Sequence, residues 1–292
     1  MFRKLSIPSI NIMDDLNQYL ELALEAADKA SAFIRQESEK TLEVGYKGDT
    51  DLVTHVDLGS EKIIKELLKS KFPEHQILAE EGGAEQGKSE YLWVIDPLDG
   101  TTNFVHGYPF YAVSIALYRE NLPMVGVVGH VTSKEVYTAT SGGGAFCNGK
   151  ALKVSKTKDL GQSLLATGFP YTHDELWSRN IEHFKLLTDR TQGVRRAGAA
   201  ALDFCHVARG WLDGFWELEL GAWDMAAGVL IVEEAGGQVS KLNNDPFNLM
   251  EREVVASNGL IHQPLLEQLN REGDSPLKTK RKPSRLFSGI LC

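Results

Sequence analysis

The chain has 292 residues, with hydrophobic residues at 42% and charged residues at 24%, the balance of a globular protein rather than a disordered one. Lys and Arg total 31 against 40 Asp and Glu, and the net charge of −9 argues against general nucleic-acid binding, which depends on neutralising phosphates. No apolar run is long enough to span a membrane, and the first residues are too short and too weakly apolar for a secretory signal. Cys147, Cys205 and Cys292 are odd in number and far apart, so neither a disulfide framework nor a zinc pair is expected. The expectation is a reduced, soluble protein of the cytoplasm.

Residues 1–12 lack any period and read as a mobile arm. A helix is expected from Asp14, because Leu16, Leu20, Ala23, Ala27, Ala30 and Ile34 step by four and three into one buried stripe. Asp14 and Asp15 suit its start. A loop with Gly45 and Gly48 follows, then a helix over 58–71 that Pro73 stops. Strands are expected at Ile77–Ala79, Tyr91–Ile95, Ala112–Tyr118, Met124–His130, Val136–Thr140 and Leu164–Thr167. The second half alternates: helices near 174–188 and 199–209, a strand over 211–218, a helix over 223–235, strands at 238–241 and 253–257, and a helix over 262–270. Helix and strand without strict alternation suggest layered α+β and α/β packing rather than a barrel. The tail beyond Asp274 carries five Lys and Arg within eight residues and reads as solvated and disordered.

The densest chemical signal is the segment from Trp93 to Phe104. An apolar strand runs into Asp96, Pro97 forces a turn, and Gly100 permits an unusual backbone angle. Asp96 and Asp99 can then point into one space, where two carboxylates repel unless a cation lies between them. The Leu98 carbonyl could add an oxygen, and the N–H groups of Gly100, Thr101 and Thr102 would open a helix able to cradle phosphate. That layout suits metal-assisted transfer of a phosphoryl group to water. A turn with capping aspartates is the alternative, although capping does not need the second Asp, the Pro and the Gly-Thr-Thr together. Glu80, Asp57 and Asp224 could converge on the same place. Taken alone, Glu80 reads as a surface loop, and Asp57 and Asp224 as helix caps.

The segments Trp93-Val-Ile-Asp-Pro-Leu-Asp-Gly-Thr-Thr-Asn-Phe104 and Trp223-Asp-Met-Ala-Ala-Gly-Val-Leu-Ile-Val-Glu-Glu-Ala-Gly-Gly237 resemble the two signatures of the inositol monophosphatase family. Asp51-Leu-Val-Thr54, Glu80-Glu81-Gly82 and Arg196-Ala-Gly-Ala-Ala200 stand in the expected order between and before them. The resemblance implies a layered α-β-α-β-α sandwich in one phosphatase domain over 13–272, with halves at 13–155 and 156–272, and a homodimer. It implies two or three Mg2+ ions per site, held by Glu80, Asp96, the Leu98 carbonyl, Asp99 and Asp224. Thr101 and Asp57 would activate the water, with Glu80 in the same catalytic set. Asp99, Gly100, Thr101, Gly198, Ala199, Ala200, Glu217 and Asp224 would hold a small phosphate ester. The implied activity is lithium-sensitive hydrolysis of myo-inositol monophosphate. Its rivals are a sister phosphatase acting on fructose 1,6-bisphosphate, histidinol phosphate or a nucleotide 3′-phosphate, and a regulatory binding protein on the same fold.

Three weaker signals point elsewhere. Gly144 to Lys150 resembles a P-loop, but Ala151 replaces the magnesium-holding Ser or Thr, and the segment reads as a hairpin. Cys205 reads as core. Trp211, Phe215, Trp216 and Trp223 read as packing, with Glu217 and Glu219 sharing one face of a strand over 211–220.

Overall fold

The computed structural model describes residues 12–40, 44–46 and 52–271. In chain order these form α1 (Ile12–Glu37), β1 (Val44–Tyr46), β2 (Leu52–Thr54), α2 (His55–Lys71), β3 (Gln76–Ala79), β4 (Gly83–Glu85), β5 (Tyr91–Asp99) and α3 (Thr101–Val105). Then come β6 (Ala112–Arg119), β7 (Leu122–His130), β8 (Glu135–Thr140), β9 (Gly144–Cys147), β10 (Lys150–Ala151), β11 (Leu164–Thr167) and α4 (Glu175–Arg190). The chain continues through β12 (Gly193–Arg195), α5 (Ala200–Ala208), β13 (Gly214–Leu218), α6 (Ala222–Glu234), β14 (Gln238–Ser240), β15 (Glu253–Ser257) and α7 (His262–Leu269). The basic tail from Asp274, residues 1–11 of the arm, and the side chains of Asp14 and Asp15 lie outside the described residues.

Two sheets separate three helical layers. The larger sheet has the order β10-β9-β8-β7-β6-β5-β3-β4, and the smaller β12-β11-β13-β15-β14. α1 and α2 cover one face of the larger sheet, while α5 and α6 fill the space between the sheets. α4 and α7 cover the outer face of the smaller sheet. This is the α-β-α-β-α sandwich. Strand β5 shows why its sequence is a continuous apolar run rather than an alternating one. Trp93 and Ile95 face the α1–α2 core, whereas Val94 faces the core shared with α5 and α6. α6 rests against the sheet so closely that a Cβ at Gly126 would lie 2.9 Å from the Ala227 carbonyl oxygen.

Several boundaries differ from the periodicity reading. The expected loop at Gly45 contains β1, which pairs with β2. α1 begins at Ile12 and α2 at His55, each ahead of its first apolar stripe residue. The expected strand from Trp211 begins at Gly214, because residues 206–212 complete the turn that ends α5. Trp211 is therefore exposed, with the Arg209 guanidinium 3.8 Å from its ring centroid, rather than packed in a core. β4 and β12 lay below what three-residue runs can signal. The Gly144–Lys150 segment is indeed a hairpin, and Cys205 is fully buried.

Candidate active site

Strand β5 does not end at Asp96, as Pro97 had suggested. It continues to Asp99 with an irregular register: Asp96 lies opposite Ser114, and Asp99 opposite Ala112. Three steps on β5 match two on β6, which is a bulge. Proline has no N–H to give the ladder, so the extra residue is accommodated there. The consequence is chemical. In a regular strand, positions three apart face opposite sides. The bulge absorbs one step, so Asp96 and Asp99 face the same side, as their partners Ser114 and Ala112 do.

Asp224 approaches from the start of α6, where it accepts a hydrogen bond from the Gly221 N–H at 2.6 Å. One oxygen each from Asp96, Asp99 and Asp224 lies within 4.8 Å of the others. Burial, followed by the charges of Glu80, Asp99 and Asp224, pushes the Asp96 carboxyl well above the usual range. Asp99 is raised by burial and then by Asp224. Two buried carboxylates that resist ionisation, with half-buried Asp224 beside them, form an all-oxygen donor set, which fits a hard divalent cation. Among the described residues Glu80 stands outside this tight group but lines the same cleft and faces Asp96. Leu98 lines the cleft too, with its carbonyl 3.1 Å from the Thr101 hydroxyl.

Asp57 and Asp224 are caps and also face the site, so the two readings of these residues coexist. Asp57 is fully buried, and its Oδ2 accepts from the Thr54 N–H at 2.7 Å and the Thr54 hydroxyl at 2.6 Å. Its Oδ1 accepts the Thr101 hydroxyl at 2.8 Å. Asp51, upstream in the same motif, lies outside the described residues. Gly100 starts α3 at φ +88°, where a Cβ would press on the Phe110 carbonyl at 3.0 Å. The Asn103 amide donates to the carbonyls of Phe110 and Ala197, at 2.7 and 2.9 Å. This ties the Gly198–Ala200 loop to the start of α3. Asp99 reinforces the tie by accepting the Ala201 N–H at 2.8 Å.

Asp96, Asp99, Gly100, Thr101 and Asp224 line one cleft of about 500 Å³. Gly198, Ala199, Ala200 and Glu217 line the cleft with Glu80, and Trp223 packs against the core as expected while also lining it. Glu217 is buried, and burial raises its carboxyl, followed by the nearby Asp203. Glu219 also lines the cleft, but by a different route from strand alternation: its φ is +68°, so β13 has already ended. Its carboxylate accepts the Thr172 hydroxyl at 2.9 Å. Asp203 was missed by sequence reasoning. It is a buried acid lining the cleft from α5, raised by burial and partly offset by Arg196. One charge inside the apolar run Ala200–Ala208 was the available signal.

Layers and centre together point to a class: metal-dependent phosphatases, with carboxylates gathered at the end of an interior strand and the start of a helix. The inositol monophosphatase family pattern matches residues 15–274. Phosphatase IMPL1, chloroplastic, of Arabidopsis thaliana is 49% identical over 257 residues, covering 86% of this chain and 69% of that protein. Inositol-1-monophosphatase of a Synechocystis strain is 46% identical, covering 87% and 90%. Nus factor SuhB of Pseudomonas aeruginosa is 44% identical, covering 85% and 94%. The crystal structure of the extragenic suppressor protein suhB from Bartonella henselae superposes with a TM-score of 0.84 at 36% identity, covering 87% and 99%. An IMPase/NADP phosphatase solved with Mg2+ and phosphate superposes with a TM-score of 0.79 at 27% identity, covering 89% and 97%. The chain belongs to the inositol monophosphatase family. Among its described residues no helix is long and apolar enough to cross a membrane.

Proposed function

We propose that the protein hydrolyses myo-inositol monophosphate to myo-inositol and phosphate with Mg2+, two or three ions per site. The observation that carries this is the Asp96–Asp99–Asp224 group, lining a cleft that Glu217 also lines. Asp96, Asp99, Asp224, the Leu98 carbonyl and Glu80 would hold the cations. Bound there, Mg2+ would neutralise the ester's phosphate oxygens and acidify water.

The protein's own groups account for the remaining steps. The Thr101 hydroxyl has one proton and two acceptor sites. By donating to Asp57 at 2.8 Å it leaves its lone pairs free to accept from a water in the cleft. The water's proton then passes to Thr101 as the Thr101 proton passes to Asp57. The Gly100 and Thr101 N–H groups would face the phosphate, and Gly198, Ala199 and Ala200 would flank the ring. Glu217 would accept hydrogen bonds from ring hydroxyls. A homodimer working in the cytoplasm, as one domain over 13–272, completes the reading from the family resemblance. The pairing of one sheet from residues 76–151 with another from 164–257 supports the two halves.

The test is kcat/KM across inositol 1-phosphate, fructose 1,6-bisphosphate, histidinol phosphate and a nucleotide 3′-phosphate, with Mg2+ and with EDTA. Inositol 1-phosphate should lead, EDTA should abolish turnover, and Li+ should inhibit at millimolar levels. A tenfold preference for another ester, about 1.4 kcal/mol in barrier, would replace the substrate. Similarity to proteins named Nus factor favours testing a second reading, a regulatory role through a transcription partner. Capture of that partner by an Asp99→Asn variant would support it.

A further inference from the structure

Helix α2 buries three polar side chains on one face, at positions 57, 60 and 61. Spacings of three and four place them side by side. Two reach the Trp93–Phe104 segment and the third reaches the β3–β4 connection. Asp57 accepts the hydroxyl of Thr101. The Ser60 hydroxyl donates to the Pro97 carbonyl at 2.8 Å, inside the bulge between Asp96 and Asp99. Glu61 Oε2 accepts the N–H groups of Glu81 at 2.9 Å and Gly82 at 3.2 Å. β3 stops at Ala79 and β4 starts at Gly83, so these two N–H groups belong to the connection that presents Glu80. The other Glu61 oxygen accepts from Lys65 at 3.2 Å, and Lys65 also pairs with Glu85. A Cβ on Gly82 would lie 2.5 Å from Glu61 Oε1 and 2.6 Å from the Lys65 amine.

We propose that Glu61 is a positioning residue that sets the 80–82 connection, and with it Glu80, against the carboxylate centre. With Asp57 and Ser60 it makes one helix face the template on which the 80–82 connection and the 97–101 turn are brought to a common register. A carboxylate that accepts two successive N–H groups in a connection between strands fixes the backbone between them. The inference rests on the Mg2+ reading of the centre.

The experiment measures Mg2+ binding by calorimetry to the protein without substrate, alongside Mg2+ dependence of turnover, thermal unfolding and circular dichroism. Glu61→Ala should weaken Mg2+ binding about tenfold or more, as loss of a supporting partner does at metal sites, while kcat at saturating Mg2+ stays within about threefold. Glu61→Gln keeps an oxygen for both N–H groups and should bind Mg2+ within about threefold of wild type. Gly82→Ala displaces the Glu61 carboxylate without altering α2 and should weaken binding as Glu61→Ala does. It carries the test alone if Glu61→Ala fails to fold. Glu66→Gln, on the exposed side of α2, should change nothing. Mg2+ affinity within about twofold of wild type in Glu61→Ala and Gly82→Ala, under 0.5 kcal/mol, overturns the inference alone. Loss in Glu61→Gln equal to that in Glu61→Ala overturns it in favour of a charge effect. Wild type that binds no Mg2+ overturns the metal reading, and this inference with it.

Discussion

Replacing Asp99 by Asn separates the chemistry of the centre from its cost to the fold. Asp99 has two jobs: one oxygen accepts the Ala201 N–H at 2.8 Å, and the group as a whole faces Asp96 and Asp224. An Asn side chain can keep the first bond through its amide oxygen, which leaves its NH2 facing the cation position. Turnover should therefore fall about a thousandfold or more, roughly 4 kcal/mol of barrier. The metal-free fold should respond in the opposite direction. Carboxylate oxygens within 4.8 Å of one another repel by at least about 3.5 kcal/mol per ionised pair at an effective dielectric near 20. Partial protonation relieves some of that, so the variant should gain about 1–3 kcal/mol in EDTA. At roughly 2–4 °C per kcal/mol, its Tm should rise by several degrees. The pH dependence carries the same signature. Carboxyls raised by folding stabilise the protein while protonated, so their contribution is full below about pH 4 and is lost as pH rises through their folded values. Asp96 and Asp99 are such groups. In EDTA the wild type should lose stability from them as pH rises, and Asp99→Asn should flatten that loss. The assay is calorimetric unfolding with EDTA and with Mg2+ from pH 5 to 8, beside hydrolysis of inositol 1-phosphate. Near-normal turnover, or a metal-free Tm below wild type with no Mg2+-dependent difference, would refute the argument.

Three further outcomes are expected. Glu217→Gln should lower kcat/KM for inositol 1-phosphate while sparing p-nitrophenyl phosphate, and a ratio changed by less than about twofold, roughly 0.4 kcal/mol, means that Glu217 does not read the alcohol. His262 is buried between the hydroxyls of Ser240 and Ser257, both at 2.9 Å, and burial lowers it to about 4. A base lowered by folding stabilises above its unfolded value and loses that contribution as pH falls from about 6.5 towards 4. Between pH 7 and 5 urea unfolding should therefore show wild type losing about 2 kcal/mol more than His262→Gln, and equal losses would remove the histidine from the account. Gly126→Ala should cost about 1–3 kcal/mol, because the new Cβ meets the Ala227 backbone rather than a movable side chain, and an unchanged Tm would show that α6 can retreat from the sheet.

Local chemistry was legible wherever it depended on neighbours in the chain. The stepped apolar positions of α1 and the turn glycines of the β9–β10 hairpin act over three or four residues, and a sequence displays that range directly. So did the association of Asp96, Pro97, Asp99 and Gly100, since the signature keeps them contiguous. What contiguity could not say is which way the acids point. A strand interrupted by proline could turn away or bulge, and the difference is decided by pairing with β6, whose Ser114 and Ala112 bring Asp96 and Asp99 to one side. Long-range placement decided the rest. Asp57 lies 44 positions before Thr101, and Asp99 lies 102 before Ala201, yet each pair shares a hydrogen bond. Glu61 carries no signal of its own in the sequence, and only the fold shows that it meets the Glu81 and Gly82 N–H groups. Trp211 reads as a strand residue until the α5 turn carries it to the surface. Periodicity reports whether a residue faces inward. Only the packing of layers, which satisfies each buried polar group with a partner far along the chain, determines what it faces.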